Sequence, residues 1–92
     1  MLKAILEMVG DLLWPPIFSV AIVGHSAETR KGEVPAGLLH DWSDVARDLR
    51  IESGIIRCIR GRHGATLEFS SHIPEVARQR FRNAFGLHRG RL

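Results

Sequence analysis

Residues 55–70 read IIRCIRGRHGATLEFS, and this stretch decides the fold. Two runs rich in apolar residues, 55–60 and 65–70, flank a glycine-bounded GRHG turn, which is the pattern of a β-hairpin. The four-residue loop fixes the cross-strand pairs Arg60 with Ala65, Cys58 with Leu67, Arg57 with Glu68, and Ile56 with Phe69. This register gathers apolar side chains on one face and sets the opposite charges of Arg57 and Glu68 side by side on the other.

A helix is expected to follow the hairpin over residues 73–85, IPEVARQRFRNAF. Pro74 suits its first turn, where a backbone amide has no partner to lose. The side chains predicted to face inward are Val76, Ala77, Phe81, Ala84 and Phe85. Gly86 is expected to end the helix with Leu87 as its hydrophobic contact, which leaves residues 88–92 as a flexible tail.

The first half of the chain repeats this order of elements. Residues 17–23, IFSVAIV, are typical of a strand, and residues 27–33 of a weak polar strand at a sheet edge. Residues 34–50 carry the apolar stripe of a helix, formed by Leu38, Leu39, Trp42, Val45, Ala46 and Leu49. Trp42 lies in the middle of this stripe and is expected to be buried. The pattern predicts an α+β fold, ββαββα, whose antiparallel four-stranded sheet carries two helices on one face.

Residues 1–16, MLKAILEMVGDLLWPP, have the periodicity of a short amphipathic helix that ends at the two prolines. The apolar stripe consists of Leu2, Ile5, Leu6, Val9, Leu12 and Leu13, and the opposite face carries Lys3, Glu7 and Asp11. The stretch is shorter than the about 20 apolar residues of a membrane span. It docks either on its own domain or a dimer mate, or it lies on a membrane surface. We expect a cytoplasmic protein, peripheral to the inner membrane in the latter case, with one α+β domain over residues 17–87.

The composition is that of one globular domain. The chain has 92 residues, 45% of them hydrophobic and 25% charged, and a single cysteine, which excludes a disulfide scaffold. Residues 1–53 carry five Lys and Arg against eight Asp and Glu, whereas residues 54–92 carry eight Arg against two Glu. Because a guanidinium group matches phosphate or carboxylate, this arginine-rich half is either a surface for an anionic partner or simply a solvated surface.

The sequence carries no recognisable catalytic or metal-binding motif. Its histidines and cysteine show none of the spacings typical of a zinc site, and Cys58 is expected to be a core residue rather than a nucleophile. The GRHG turn is neither a Walker motif nor a dinucleotide-binding loop, so an ordinary turn is the simpler interpretation. We therefore expect no enzymatic activity, no cofactor, no metal and no small-molecule substrate.

The candidate anion- or partner-binding residues are Arg62, Arg78, Arg82 and Arg89. Arg78 and Arg82 are four residues apart on one helix face, and Glu75 can pair well with only one of them, so both are expected to stay partly unpaired. The leading hypothesis is a non-enzymatic protein-interaction module, self-associating through the first helix or the weak second strand. The alternative is a small basic nucleic-acid-binding protein with an arginine patch on its last helix. That alternative lacks a known motif and exposed aromatic side chains.

Several blocks of the chain resemble a family of small bacterial proteins of unknown function. They are KGEVP at 31–35, LLHD at 38–41, SGII at 53–56, LEFS at 67–70 and RQRFRN at 78–83, the most specific of them. The resemblance covers about residues 30–85 and implies an N-terminal hydrophobic segment that in such proteins often spans a membrane. This chain departs from that pattern, since Glu7 and Asp11 interrupt a short segment. The resemblance implies no activity, cofactor or catalytic residue.

Overall fold

The computed structural model describes residues 16–88. Within them the elements are β1 (Phe18–Val23), β2 (Ser26–Gly32), α1 (Ala36–Asp48), β3 (Ser53–Gly61), β4 (Gly64–Phe69) and α2 (Glu75–His88). The predicted ββαββα order is confirmed. The amphipathic helix expected over 1–16 lies outside the described residues except for Pro16, and the expected tail, with Arg89, lies outside them except for His88.

The four strands form one antiparallel sheet in the order β2-β1-β3-β4. β1 and β3 are therefore its central strands, and β2 and β4 are its edges. The β3–β4 register contains all four predicted pairs, and Arg57 Nη1 donates a hydrogen bond to Glu68 Oε1 at 2.8 Å. The two hairpins meet along the central strands, where Phe18 is the register partner of Cys58.

Both helices lie on one face of the sheet, and the core fills the space between. Trp42 is fully buried, as predicted, and its indole Nε1 donates to the carbonyl of Phe81 at 3.0 Å. The ring centroid of Phe18 lies 6.0 Å from that of Trp42 and 6.4 Å from that of Phe85. One residue of a central strand thus contacts both helices. The thiol of Cys58 is buried in the same core and forms no disulfide.

The expectation that Val76 faces inward is wrong, because its side chain is 63% exposed. The buried face of α2 is formed by Ala77, Phe81, Ala84 and Phe85. The other three each lie three or four positions from Phe81 along the helix, so all four share one face, and Val76 lies outside that face. Among the described residues, no helix is long and apolar enough to cross a membrane.

The end of α2 also differs from the prediction. The helix continues through Gly86 to His88, and Leu87 is 81% exposed, so it makes no hydrophobic capping contact. His88 Nε2 lies 2.9 Å from Asp41 Oδ2. Its ring also covers Gly37, where an added Cβ would come within 2.9 Å of the imidazole. These contacts with α1 accompany an extension of α2 by three residues, nearly one turn, beyond the end that its own sequence indicates.

Candidate partner-binding site

Arg78 is anchored to the main chain of the loop that joins β4 to α2. Its Nε donates to the carbonyl of Ile73 at 2.8 Å, and its Nη2 donates to the carbonyl of Ser70 at 3.2 Å. The expectation that Arg78 stays partly unpaired therefore needs correction: two of its N–H groups have acceptors, although both acceptors are carbonyls that leave its charge unneutralised. The spacing of charged residues led to that expectation, but the acceptors are backbone carbonyls, which no side-chain pattern reveals.

Arg82 makes the ion pair that the sequence left open. Its Nη1 lies 3.1 Å from Glu75 Oε1, with side-chain exposures of 42% for Arg82 and 74% for Glu75. An ion pair this exposed contributes about 0–1 kcal/mol. Glu75 thus holds the guanidinium group only weakly.

Both guanidinium groups contact the ring of Phe69. The Cζ atoms of Arg78 and Arg82 are 5.7 and 5.2 Å from the centroid of its ring, within the range of about 6 Å for a cation–π contact. The ring also stacks on Phe81, with centroids 6.1 Å apart and an interplanar angle of 28°. Phe69, Arg78 and Arg82 are called the arginine–phenylalanine cluster below. The sequence-based prediction placed Phe69 in the core and missed its contact with the arginines, because the arginine patch was derived from the last helix alone.

The remaining candidate arginines are not part of this cluster. Arg62 is exposed in the turn between β3 and β4, whereas Phe69 is at the opposite end of β4. At about 3.4 Å per residue, the strand separates them by roughly 20 Å. Arg89 lies outside the described residues. The structure therefore brings together two of the four predicted site residues and separates Arg62 from them.

The cluster adjoins an open sheet edge that sequence reasoning also missed. β4 pairs with β3 alone in the described sheet. The amide of Ser70 donates to the carbonyl of Ile55, and hydrogen-bonded and non-hydrogen-bonded pairs alternate along an antiparallel ladder. It follows that the backbone groups of Leu67 and Phe69 point away from β3. Their side chains are half-buried on the helix face of the sheet.

The seam between the helices offers less for a ligand. Asp41, Asp44 and Val45 of α1 face Arg80, Asn83, Ala84 and Leu87 of α2 across a shallow, open groove. Arg80 Nη2 donates to Asp48 Oδ2 at 3.0 Å, so the charges of the seam pair with each other. Within residues 16–88, no three His, Cys, Asp or Glu side chains lie close enough together to hold a metal ion.

The described residues form a small antiparallel α+β domain in which the edge strand β4 lies beside a cation–aromatic cluster. The chain belongs to the family described as "Protein of unknown function (DUF3634)", which matches residues 2–91. The resemblance to an uncharacterised family is thereby confirmed at the level of the family, while the particular sequence blocks stay a prediction. Comparison with curated proteins found no match, and comparison with solved structures found none either.

Proposed function

We propose that this chain is a non-enzymatic protein-interaction module that binds an extended, acidic segment of its partner as a fifth strand along β4. The observation that carries the proposal is the position of the arginine–phenylalanine cluster at the end of an open edge strand. In strand addition, main-chain hydrogen bonds supply affinity and side-chain contacts supply specificity. The outward backbone groups of Leu67 and Phe69 can form the main-chain hydrogen bonds, and the two guanidinium groups can form the side-chain contacts.

The charge of the cluster selects the chemistry of the added strand. A carboxylate opposite Phe69 would lie close to Arg82, whose pair with Glu75 is exposed and weak. Arg78 is held by two carbonyls and so contributes a fixed positive charge rather than a mobile fork. A segment with acidic side chains near its end is therefore favoured, and a basic one is repelled.

Nucleic-acid binding by α2 has weaker support. Arg78, Arg80 and Arg82 each donate to an acceptor within the chain, so a phosphate would have to displace carbonyls or carboxylates. The rings of Trp42 and Phe81 are fully buried. The half-buried ring of Phe69 already stacks on Phe81 and contacts two guanidinium groups, so among the described residues it offers little surface for a base to stack on. We keep nucleic acid as an outcome of the test.

The test is an NMR titration of the full-length, ¹⁵N-labelled chain with three probes. They are a soluble peptide of alternating threonine and glutamate, the matched threonine–lysine peptide, and a short oligothymidylate. We expect the acidic peptide to shift the amide signals of Leu67 and Phe69, and the basic peptide to leave them unchanged. Equal responses to both peptides, or shifts in α2 caused by the oligonucleotide alone, would contradict the proposal.

A matched pair of variants separates strand addition from general charge attraction. Leu67→Pro removes an outward N–H that β3 does not use, so the fold is retained while the acidic peptide loses its binding edge. Glu75→Gln frees Arg82 and should strengthen binding without changing the edge. If Leu67→Pro is folded and binds the acidic peptide as well as the parent chain, the β4 edge is not the site.

A further inference from the structure

The sheet face opposite the helices carries a row of basic side chains around a serine. In the sheet register, Ser19 pairs with Lys31 on one side and with Arg57 on the other, so all three share this face. The row ends at Glu68 of β4, which pairs with Arg57 and accepts a hydrogen bond from it. Arg30 Nη1 also reaches Ser19 Oγ at 3.4 Å. This basic row lies at the end of β1 where the preceding chain joins the sheet, because Ser19 is its second residue.

Beside the basic row, the two central strands present apolar side chains on the same face. Ala21 pairs with Ile55 in the next row, and Ile59 lies on the other side of Arg57. These three side chains are only partly exposed, and Ser19 has no exposed surface at all. Neither α1 nor α2 lies on this face. An open single-layer face would leave Ser19 in contact with water, so its complete burial indicates that this face is covered around the basic row, whereas Val23 at the far end of β1 stays 55% exposed.

From these observations we infer that residues 2–13 of the same chain cover this face through their apolar stripe. The segment ends a few residues before β1, which is a central strand, so it can turn back over the sheet without a long connection. Twelve residues in helical form span about 18 Å, and the six residues of β1 span about 20 Å. The small side chains of Ser19 and Ala21 allow a close approach.

Charge and side-chain length fit the same arrangement. The segment carries its two anions, Glu7 and Asp11, on the side away from the apolar stripe. Lys31 and Arg57 have long aliphatic stems that can flank a docked segment. Lys31 can place its ammonium group beside those carboxylates, and Arg57 can reach them with guanidinium nitrogens other than the Nη1 that donates to Glu68. Asp11 is nearest in sequence to β1 and thus to the basic row. This interaction uses the sheet face and not the β4 edge, so it stands or falls independently of the proposed function.

Hydrogen–deuterium exchange of the full-length chain tests the inference. A free helix this short is only marginally formed in water, so its amides exchange fast unless the segment is docked. We expect residues 2–13 to be protected, and Ala21→Arg or Val9→Glu to remove that protection while the core strands stay protected. The matched control is Thr29→Arg, which adds the same side chain at an exposed position of β2 and should leave residues 2–13 unchanged.

Three outcomes would overturn the inference. The first is unchanged protection of residues 2–13 in a folded Ala21→Arg variant. The second is protection that increases with protein concentration, because the segment would then dock on a second copy. The third is protection that appears only with vesicles of phosphatidylcholine and phosphatidylglycerol, because the segment would then bind a membrane surface instead.

Discussion

The two edge strands of the sheet differ in how strongly their residues discourage the addition of another strand. Six of the seven residues of β2 are exposed, three of them are charged, and its register against β1 shifts between Ser19 and Val20. β4 alternates exposed and half-buried residues, has Glu68 as its one charged side chain, and pairs with β3 without a shift. Charges and bulges discourage strand addition. A sheet can thus be closed to partners at one edge and open at the other.

Because of this difference, we propose the partner contact at β4 rather than at β2. The sequence left two elements for self-association, the first helix and the weak, polar second strand. The same polarity, seen on an edge with a bulge, is a property that prevents pairing. We therefore assign the partner to β4, whose outer backbone groups are next to the arginine–phenylalanine cluster.

The largest expected effect tests whether both edges depend on one core. Trp42→Ala removes a fully buried ring that contacts Phe18 and Phe81, and we expect it to lower the free energy of unfolding by about 3–5 kcal/mol. Urea unfolding measures this change. Leu87→Ala, at a position 81% exposed, serves as the control and should cost under about 0.5 kcal/mol. Equal losses of unfolding free energy in the two variants would contradict the assignment of Trp42 to the core that supports both edge strands.

The next effect compares the inner and outer sides of β4. The register makes Thr66 a hydrogen-bonded partner of Ile59, whereas Leu67 points its amide outward. Thr66→Pro should therefore destabilise the chain by about 2 kcal/mol more than Leu67→Pro, because it also leaves an acceptor on β3 unpaired. Thermal and urea unfolding of the two variants measure the gap. If Leu67→Pro is the more damaging change, the outer edge of β4 is not open.

A smaller effect examines how β2 is fixed at its end. Gly32 has a φ of 75°, and a Cβ there would lie 2.4 Å from the carbonyl oxygen of Ile17. Gly24 has a φ of 54° but no atom within 4 Å of the added Cβ. Gly24→Ala should cost about 1 kcal/mol for the left-handed backbone alone, and Gly32→Ala about 1 kcal/mol more. Similar losses in urea unfolding would mean that the β2 end adapts freely.

The smallest effect concerns Arg82 beside β4. Arg82→Ala removes an exposed ion pair and a cation–π contact with Phe69, so stability should fall by no more than about 1 kcal/mol. Arg82→Lys keeps the charge and should cost less. Unfolding in low and high salt separates the contributions, because salt screens the ion pair and not the ring contact. A loss of several kcal/mol would mean that Arg82 is structural and unsuited to a partner.

Local features of this fold were predictable, and long-range ones were not. The β3–β4 register follows from loop length and alternation within sixteen residues, and the buried face of α1 follows from a helical period. The strand order cannot be predicted in this way, because no local pattern in β1 or β3 indicates that these two strands pair. Since the edges are defined only by that order, the open edge of β4 could not be predicted from its sequence.

The candidate site shows the same limit. The chain indicated that Arg78 and Arg82 share a helix face, and both indeed approach Phe69. Arg78 donates to backbone carbonyls whereas Arg82 pairs with Glu75. This difference depends on where the loop after β4 places its carbonyl groups. The extension of α2 to His88 likewise depends on Asp41, a residue of the other helix. Both features arise from tertiary contacts, which override local signals at helix ends.

The pairing of β1 with β3 has a consequence for the order of folding. Each hairpin closes over a few residues, but the central ladder joins Phe18 to Cys58, forty positions apart in the chain. Loop-closure entropy delays such distant contacts, so the hairpins should form first and the central ladder should limit the folding rate. Until it forms, the inner edges of both hairpins are exposed. The newly made chain is therefore most vulnerable to aggregation along strands that the native sheet hides completely.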